Sequence, residues 1–401
     1  MARILVLAST FPRWEGDFTP PFVFHLSAGL AAKGHEVHVL APHAKAAATE
    51  EQLGPLHVHR FRYAPSPLET LCYDAGMIEN LRRKPIRWGL VPFFLAAEFL
   101  AVLWLVRRHR IDVIHAHWFL PQGLVAGLAK PFLRRPIVMT AHGADVFTTR
   151  SPFRRLLLRG AARSADVATV NSIPMHAELE RLTGHDSQVI PMGVDTAQFR
   201  PNSDGDVGNG ERVRSTPRLL FVGRLAEKKG VKYLVQALPE VLEASPNATL
   251  TIVGDGPERS DLAAQVRRLG LTEHVEFAGS VTNEQLPDWY RAADVFVAPS
   301  VVSAEGDTEA LGVVLLEAAA CGVPLVASNV GGISDIVRDG ETGLLVAPES
   351  PSELARAILR LIQDERLRGQ LSGNALRHVA ANFSWESVTA RFDALVRELS
   401  A

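Results

Sequence analysis

The chain has 401 residues, 47% hydrophobic and 21% charged, and its 42 Lys and Arg against 44 Asp and Glu give a formal net charge of −2. This length and composition fit two globular domains and exclude a lone small module. The near-zero charge argues against a dedicated nucleic-acid binder, which carries a basic surplus. Two cysteines, Cys72 and Cys321, are too few for a disulfide framework or a cysteine-rich metal site, so we expect a reducing, cytoplasmic setting.

The first half of the chain alternates short apolar runs with longer stretches of helical periodicity. The predicted strands are residues 4–7, 37–40, 113–114, 137–139 and 167–170. The helical stretches among them include residues 22–32, 93–106 and 123–128. Apolar strands separated by helices predict a parallel sheet covered on both faces, the doubly wound α/β arrangement.

A polar, glycine-rich stretch at residues 200–211 interrupts this rhythm and predicts an exposed linker. The rhythm then restarts, with strands predicted at 219–222, 249–253, 275–277, 295–298 and 324–327 and helices at 233–243, 259–269 and 313–320. An amphipathic helix at 385–399 follows, which suits packing on either domain. We expect a first domain at 1–198, a linker at 199–216 and a second domain at 217–382, with the ligand in the cleft between them.

Two carboxylates stand eight residues apart in the second half, at Glu309 and Glu317, with Gly312 between them. If a helix begins near Gly312, Glu309 lies in the preceding loop, Glu317 projects from the second turn, and the first N–H groups form an anion site. That arrangement suits a phosphorylated ligand that carries hydroxyl groups. The alternative is two structural carboxylates placed by helix-dipole and solvent effects.

A basic segment follows the first strand of the second domain, from Gly223 to Gly230, and includes Arg224 and Lys229. Basic side chains at the carboxyl end of a strand, next to a glycine that lets the backbone approach, are well placed to neutralise a diphosphate. The alternative is a solvated basic turn.

The loop after the first strand contains Gly16 but lacks the glycine-rich dinucleotide fingerprint, and residues 254–259 lack its third glycine. A dehydrogenase is therefore poorly supported. Histidines follow two later strands, His115 and His117 after one and His142 after the next. A metal site is one interpretation, but packing or hydrogen bonding of His115 and His117 on one face of a strand is favoured.

The basic segment and the pair of glutamates occur together and in this order. They resemble the retaining GT-B glycosyltransferases of family 4, which build bacterial polysaccharides and glycolipids from nucleotide sugars. Further elements support the resemblance along the chain, at residues 34–37, 142–145, 190–195, 253–257, 331–332 and 340–343. The resemblance implies two doubly wound Rossmann-like domains that face a central cleft, with a C-terminal helix, residues 383–401, crossing back to the first domain.

The resemblance also implies roles for individual residues. On the donor side it assigns Arg224 and Lys229 to the diphosphate, Glu317 to the ribose hydroxyls, Glu309 to the transferred sugar, the backbone of Ala310, Leu311 and Gly312 to the sugar hydroxyls and phosphate, Gly16 to the approach of the phosphates and Val281 to the base. It places His142 with Glu309 at the reaction centre, and it assigns Asp145 and His117 to the acceptor side.

The function implied is transfer of a hexose-type sugar from a nucleotide-sugar donor to a glycan or lipid-linked acceptor, with retention of the anomeric configuration. No metal ion and no cofactor are expected, because cationic side chains and a helix N-terminus stabilise the departing nucleoside diphosphate. The approach at residues 305–309 is similar to that of enzymes that use UDP-sugars, and GDP-mannose stays open. The alternatives are a noncatalytic nucleotide-sugar-binding subunit and, on the same fold, an epimerase or a phosphorylase.

One apolar segment, residues 88–106, contains a single charge and has basic residues on both sides. A helix over 93–106 spans about 21 Å, short of the roughly 30 Å hydrocarbon core of a bilayer. Two interpretations stay open: a helix packed on the sheet, or a helix partly exposed at an anionic membrane surface, which places the enzyme peripherally at the inner face of the membrane.

Overall fold

The computed structural model describes residues 1–17, 21–73, 76–202 and 216–400. The chain forms two compact units: Met1–Ile190 with Val388–Ala401, and Pro191–Ser387. The first unit therefore ends at 190 rather than at the predicted 198. The segment from Pro191 to residue 202 packs in the second unit, where Gln198 Nε2 donates a hydrogen bond to the Asn283 carbonyl (2.7 Å) and the Phe199 ring lies 6.0 Å from that of Tyr290. Residues 203–215 of the predicted linker lie outside the described residues.

The first unit is built on an eight-stranded sheet. Its strands are β1 (Arg3–Leu7), β2 (Glu36–Pro42), β3 (Glu50–Leu53), β4 (Leu56–Phe61), β5 (Val113–His117), β6 (Ile137–Thr140), β7 (Val167–Val170) and β8 (Gln188–Val189). Their order across the sheet is β3-β4-β2-β1-β5-β6-β7-β8, and all pairs are parallel except β3 with β4. The chain direction across the sheet reverses between β1 and β5, which is the point where doubly wound sheets bind ligands.

Helices cover both faces of this sheet, and for that reason β5 is buried at every position. The helices of the first unit before the linker are α1 (Phe22–Ala32), α2 (Met77–Arg83), α3 (Val91–Arg108), α4 (Leu124–Leu133), α5 (Ala144–Phe147), α6 (Pro152–Ser164) and α7 (Ile173–Thr183).

Helix α3 is longer than the predicted 93–106. It has 18 residues, or about 27 Å, and a 3₁₀ turn, Pro85–Leu90, precedes it. One face, which includes Phe94, Glu98 and Val102, is buried against the unit, and α3 packs on β2 and β4. The opposite face is exposed at Phe93, Leu100 and Trp104.

Within the described parts of the chain, one helical stretch, Pro85–Arg108, is long and apolar enough to cross a membrane by length and composition, with a mean hydropathy of 2.2. A single stretch of this kind is weak evidence for a span, because the core helix of a soluble protein also meets the criterion. Only 28% of its most apolar window is buried.

The second unit has a six-stranded parallel sheet. Its strands are β9 (Arg218–Val222), β10 (Thr249–Val253), β11 (Val275–Gly279), β12 (Val295–Ala298), β13 (Leu325–Ser328) and β14 (Leu344–Val346), in the order β11-β10-β9-β12-β13-β14. Its helices are α8 (Val231–Ala244), α9 (Arg259–Arg268), α10 (Leu286–Ala292), α11 (Val313–Ala320), α12 (Ile333–Ile336), α13 (Pro351–Gln363) and α14 (Glu365–Asn382). Here the chain reverses direction between β9 and β12.

The last helix, α15 (Trp385–Ser400), belongs to the first unit from Val388 onward. The return to the first unit therefore begins at 388 rather than at the predicted 383. The reason lies in its contacts: Asp393 Oδ1 is 2.7 Å from His35 Nε2, and the Phe392 ring lies 5.2 Å from the His115 ring.

Candidate active site

The second unit gathers the predicted donor residues at the reversal point of its sheet. Arg224 and Lys229 follow β9, and Glu309 follows β12, the neighbouring strand. Lys229 Nζ lies 3.0 Å from Glu309 Oε1. Two side chains separated by 80 residues in sequence are thus brought into one ion pair at the carboxyl edge of the sheet, while Arg224 remains exposed.

The Glu309 side chain is buried yet ionised. Burial favours the neutral form, but the charges of Lys229 and Lys228 and the hydrogen bond from Lys229 outweigh it and hold the pKa of Glu309 below its ordinary value. The backbone is fixed as well, since the Gly332 N–H donates to the Glu309 carbonyl (2.9 Å). At Gly331, whose φ is +52°, a Cβ would overlap that same carbonyl, so the close approach requires glycine.

Glu317 projects from α11 and accepts a hydrogen bond of 2.6 Å from the Tyr290 hydroxyl of α10. Burial raises the pKa of Glu317 to about 7, while the bond from Tyr290 and the charge of Lys229 oppose the rise. Helix α11 begins after Gly312, which has φ +94°, and the preceding Leu311 is buried. The helix therefore begins between the two glutamates, as predicted.

The remaining donor-side predictions lie in loops. Val281 is partly buried and stands two residues after the end of β11, whereas Ala310 is partly buried beside Glu309. In the first unit Gly16 is exposed in the loop after β1 and has φ +79°. That loop is tied down by Arg13, whose Nε and Nη2 donate to the two oxygens of Asp17 (2.9 and 2.7 Å).

His117 and His142 meet at the carboxyl edge of the first unit. His117 is the last residue of β5, His142 follows β6, and His117 Nδ1 lies 2.9 Å from His142 Nε2. On the other side of the ring, Asn171 Nδ2 lies 3.3 Å from His142 Nδ1. Burial, together with the charge of His115, lowers the pKa of His142 to about 3, so the imidazole is neutral at physiological pH.

Asp145, predicted on the acceptor side, is held by backbone hydrogen bonds. Its Oδ1 accepts hydrogen bonds from the backbone N–H groups of His142 (3.1 Å) and Gly143 (3.2 Å), and its Oδ2 accepts one from that of Phe119 (2.9 Å). Burial raises the pKa of Asp145, and these backbone bonds oppose the rise. Because both oxygens are engaged, the carboxylate fixes the loop that carries His142.

His115 is packed against a neighbouring ring and is hydrogen-bonded. Its Nε2 lies 2.8 Å from Thr140 Oγ1, and its ring centroid is 4.3 Å from that of His117.

Comparison with known proteins agrees with this arrangement. A family model described as "Glycosyltransferase Family 4" matches residues 21–198, and one described as "Glycosyl transferases group 1" matches residues 216–364. The chain is 35% identical over 301 residues to a GDP-mannose-dependent alpha-(1-6)-phosphatidylinositol monomannoside mannosyltransferase of Mycolicibacterium smegmatis, covering 73% of this chain and 78% of the relative. It is 32% identical to a D-inositol 3-phosphate glycosyltransferase of Corynebacterium efficiens, over 96% and 91% of the two chains.

The chain belongs to glycosyltransferase family 4. Among solved structures, sucrose-phosphate synthase from Thermosynechococcus elongatus is similar with a TM-score of 0.81 and 27% identity, covering 100% of this chain and 99% of the other. The predicted GT-B fold of two Rossmann-like units is confirmed.

Sequence reasoning about this glycosyltransferase missed three residues that support the site. Tyr290 holds Glu317, Asn171 holds His142, and Asp307 Oδ2 lies 3.0 Å from Lys228 Nζ, beside the Lys229–Glu309 pair. Asp307 lies in the segment compared with UDP-sugar enzymes, so its position was a usable signal. Tyr290 and Asn171 act through partners that only the folded chain brings close.

Proposed function

We propose that this family 4 glycosyltransferase transfers mannose from GDP-mannose to an inositol-bearing lipid, with retention and without a catalytic metal ion. The observation that carries the proposal is the set Arg224, Lys229, Glu309 and Glu317 at the reversal point of the second sheet. Sequence alone favoured a UDP-sugar. The relative at 35% identity is named for GDP-mannose and for a phosphatidylinositol mannoside, and its name supports the donor and a lipid acceptor. The relative at 32% identity is named for D-inositol 3-phosphate, which supports the inositol part of the acceptor.

The chemistry follows from the charges at the site. Arg224 and Lys229 stabilise the negative charge that develops on the departing nucleoside diphosphate, and the start of α11 adds backbone N–H donors. Glu309, ionised at neutral pH, holds the sugar hydroxyls and stabilises the positive charge of the anomeric carbon. Glu317 accepts hydrogen bonds from the ribose hydroxyls. The donor phosphate takes the proton of the acceptor hydroxyl on the face that the leaving group vacates, which retains the configuration.

The experiment is a matched donor assay. Purified enzyme is incubated with phosphatidylinositol or its monomannoside and with GDP-mannose, GDP-glucose, UDP-glucose or UDP-galactose, and the lipid product is identified by mass spectrometry. We expect a hexosyl lipid from GDP-mannose at a rate at least tenfold above the other donors. A hexosyl lipid from a UDP-sugar instead would replace the donor assignment, and nucleotide binding without any product would support the noncatalytic alternative.

A lipid acceptor requires access to a membrane, and the first unit carries a suitable surface. Helix α3 packs on α4, and α4 packs on α6. Large apolar side chains stand exposed on these helices and on the turn before α3; they are Ile86, Trp88, Phe93, Leu100, Trp104, Leu128, Phe132, Phe153 and Leu156. We call these nine residues the apolar face. Basic residues flank it on both sides of α3, at Arg82, Arg83, Lys84, Arg87, Arg107, Arg108 and Arg110.

Exposed aromatic and aliphatic side chains next to basic groups are typical of a surface that inserts shallowly into an anionic membrane. We therefore extend the proposal to peripheral binding at the inner face of the membrane through the apolar face. One face of α3 packs on the sheet, as the first interpretation predicts, and the exposed face is the one that this proposal assigns to lipid.

Flotation with vesicles tests this binding. We expect wild-type enzyme to float with vesicles containing anionic lipid and to be released when Arg82, Arg83, Lys84 and Arg87 are changed to Glu. The control changes four exposed arginines of the second unit, Arg267, Arg268, Arg356 and Arg366, to Glu, with the same change in net charge. Equal release of both variants would show that binding depends on overall charge rather than on this surface and would contradict the proposal. A wild-type protein that never floats would overturn it as well.

A further inference from the structure

A group of histidines lies in the first unit at a distance from the donor and acceptor residues. His38 is the third residue of β2, His59 lies in β4, and His109 directly follows the end of α3. One ring nitrogen from each lies within 4.8 Å of the others. His38 is buried, whereas His59 and His109 are partly buried, so solvent and ions reach the group.

The group stands on the sheet face that α3 covers. In the parallel register of β2 and β4, His38 pairs with His57 and Leu40 pairs with His59, so these side chains share one face. His38 lies near the amino end of its strand, opposite the carboxyl edge that carries His117 and His142. The histidine group is therefore separate from the residues assigned to sugar transfer.

The hydrogen bonds of His38 leave its inner nitrogen with a lone pair. His38 Nε2 lies 3.0 Å from Glu36 Oε1, which only accepts, so His38 directs its N–H outward and its Nδ1 is an acceptor. His59 Nε2 lies 3.1 Å from that Nδ1 and donates to it in the metal-free protein. His59 Nδ1 is 3.8 Å from Glu50 Oε1, beyond hydrogen-bond distance. A metal ion between the two inner nitrogens takes the place of this proton, which His59 then carries on Nδ1, the nitrogen that faces Glu50.

The Glu36–His38 pair has the geometry of an oriented metal ligand. Histidine ligands commonly donate their outer N–H to a carboxylate, which fixes the tautomer and raises the basicity of the inner nitrogen. A tetrahedral zinc ion with bonds of about 2.0 to 2.1 Å separates its ligand atoms by about 3.4 Å, near the 3.1 Å seen here. His109 supplies the third ligand, because its ring centroid lies 4.2 Å from that of His38 and 5.3 Å from that of His59.

We propose that His38, His59 and His109 bind one divalent transition-metal ion of the zinc class. Three imidazoles and no thiolate favour Zn²⁺, Ni²⁺ or Cu²⁺ over Mg²⁺ or Ca²⁺, which prefer oxygen ligands. The ion joins the end of α3 to the β2–β4 edge and thereby stabilises the helix that bears much of the apolar face.

Titration of the metal-free enzyme with ZnCl₂ tests the site, after chelation and removal of any affinity tag. We expect one equivalent to bind by calorimetry and the thermal midpoint to rise by several degrees, because an ion that binds only the folded state stabilises it. His59→Ala and His109→Ala are each expected to weaken binding at least tenfold. Glu36→Gln, which keeps all three ligands, is expected to weaken it about tenfold through the lost outer hydrogen bond.

His57 provides the matched control. It is exposed on the same strand, its ring stacks on His38 with centroids 5.0 Å apart, and it is not one of the three ligands. His57→Ala is expected to leave the zinc affinity unchanged. A wild-type enzyme that binds no stoichiometric zinc would overturn the site, and so would equal affinities in His57→Ala, His59→Ala and His109→Ala.

A spectroscopic readout keeps the proposal falsifiable if a histidine variant folds poorly. The Trp104 ring lies 6.3 Å from the His109 ring, so a paramagnetic ion at the site is close enough to quench its fluorescence. We expect one equivalent of Co²⁺ to quench part of the tryptophan emission of the wild type, and Trp104→Phe to lose that part. Quenching by Co²⁺ that is equal in the wild type and in Trp104→Phe would place the ion elsewhere.

Discussion

Lys229 and Glu309 neutralise each other in the free enzyme, although the proposal assigns them to different parts of the donor. With the two atoms 3.0 Å apart, any phosphate that approaches Lys229 competes with Glu309. The two residues therefore have opposite effects on a nucleotide that lacks the sugar.

We predict that Glu309→Gln leaves nucleoside diphosphate affinity unchanged or raises it, because Lys229 is released toward the phosphates. The same change is expected to lower kcat with the sugar donor, since the carboxylate contact strengthens as the anomeric carbon becomes positive. Arg224→Ala is expected to weaken the nucleotide about tenfold, as one charge-assisted bond to phosphate is worth on the order of 1.5 to 3 kcal/mol. Calorimetry with GDP and UDP measures the first effect and steady-state kinetics the second. Weaker nucleotide binding in Glu309→Gln than in Arg224→Ala would contradict this division of roles.

We expect donor binding to depend on pH through Glu317. Burial raises the pKa of Glu317 to about 7, so the protonated and the ionised forms are both populated near neutral pH. Ribose hydroxyls that donate to the carboxylate stabilise the ionised form, so bound nucleotide lowers this pKa. We predict that nucleotide affinity rises as the pH increases from 6 to 8 and then levels off.

The nucleotide titrates in the same range, because a terminal phosphate has a second pKa of about 6. Glu317→Gln supplies the background, since it keeps the ligand titration and removes that of the enzyme. We expect the variant to show the shallower pH dependence of the two and a raised donor KM at pH 8. Identical pH profiles for wild type and variant would show that Glu317 does not titrate on binding.

Asp145 and His142 act as one unit in the first domain. Asp145 accepts hydrogen bonds from three backbone N–H groups, so we predict that Asp145→Ala lowers both the thermal midpoint and kcat. His142→Ala is predicted to lower kcat with a smaller change in stability. With a pKa of about 3, His142 is neutral throughout the working range. The kcat profile between pH 5 and 8 is therefore expected to show no step from His142, and a step that His142→Gln abolishes would contradict a neutral imidazole.

For single residues, the sequence identifies side chains whose type and position already indicate a chemical role. Arg224, Lys229, Glu309 and Glu317 follow strand ends or lie in the first turns of a helix. In the structure Lys229 and Glu309 form an ion pair, the charge of Lys229 acts on Glu317, and Arg224 is exposed after β9, the strand that Lys229 also follows. Tyr290 was not predictable in the same way. An aromatic residue within an amphipathic stretch is ordinarily core, and its hydroxyl finds Glu317 only because α10 packs on α11.

Among the secondary-structure elements, the antiparallel pair β3 and β4 escaped prediction. β3 reads Glu-Glu-Gln-Leu, polar except for its last residue, and β4 alternates between buried and more exposed positions over its first four residues. Uniformly apolar strands are typical of the interior of a doubly wound sheet, but these two strands lie at its edge and next to it, where one side meets solvent. The two-residue connection at Gly54 and Pro55 was the available signal for a hairpin.

Helix α3 shows how flanking residues extend an element beyond its apolar core. Pro92 marks the first turn as expected, but Arg107 and Arg108 continue the helix because charged side chains at its end reach solvent and complement the helix dipole. The helix has 18 residues rather than the predicted 14, so its length no longer speaks against a membrane span, whereas its packing does. The buried face of α3 contacts β2 and β4, and β5, which follows it, pairs with β1 in the same sheet.

For the whole molecule, the two sheets repeat one arrangement. In each unit the proposed site residues lie at the carboxyl ends of strands at or near the reversal point: after β1, at the end of β5 and after β6 in the first unit, and chiefly after β9 and β12 in the second. This could be predicted from the alternation of strands and helices. The exact unit boundary could not. A glycine-rich run marks where the chain is polar, but the division after residue 190 depends on contacts of Gln198 and Phe199 with residues more than 80 positions later.

The same arrangement leads to a prediction about the overall reaction. The proposed leaving group is met by Arg224, Lys229 and the start of α11, which neutralise a diphosphate without a metal ion. We therefore expect the initial rate to be the same with Mg²⁺, Mn²⁺ or EDTA, even where chelation lowers the thermal midpoint by emptying the histidine site of the first unit. We also expect a product with the donor's anomeric configuration, read by NMR from the one-bond ¹³C–¹H coupling at the anomeric carbon. A donor phosphate that serves as base on the face it vacates can give only that configuration. An inverted product would require a different base on the opposite face of the sugar, such as a histidine or a carboxylate of the protein, and would contradict this mechanism.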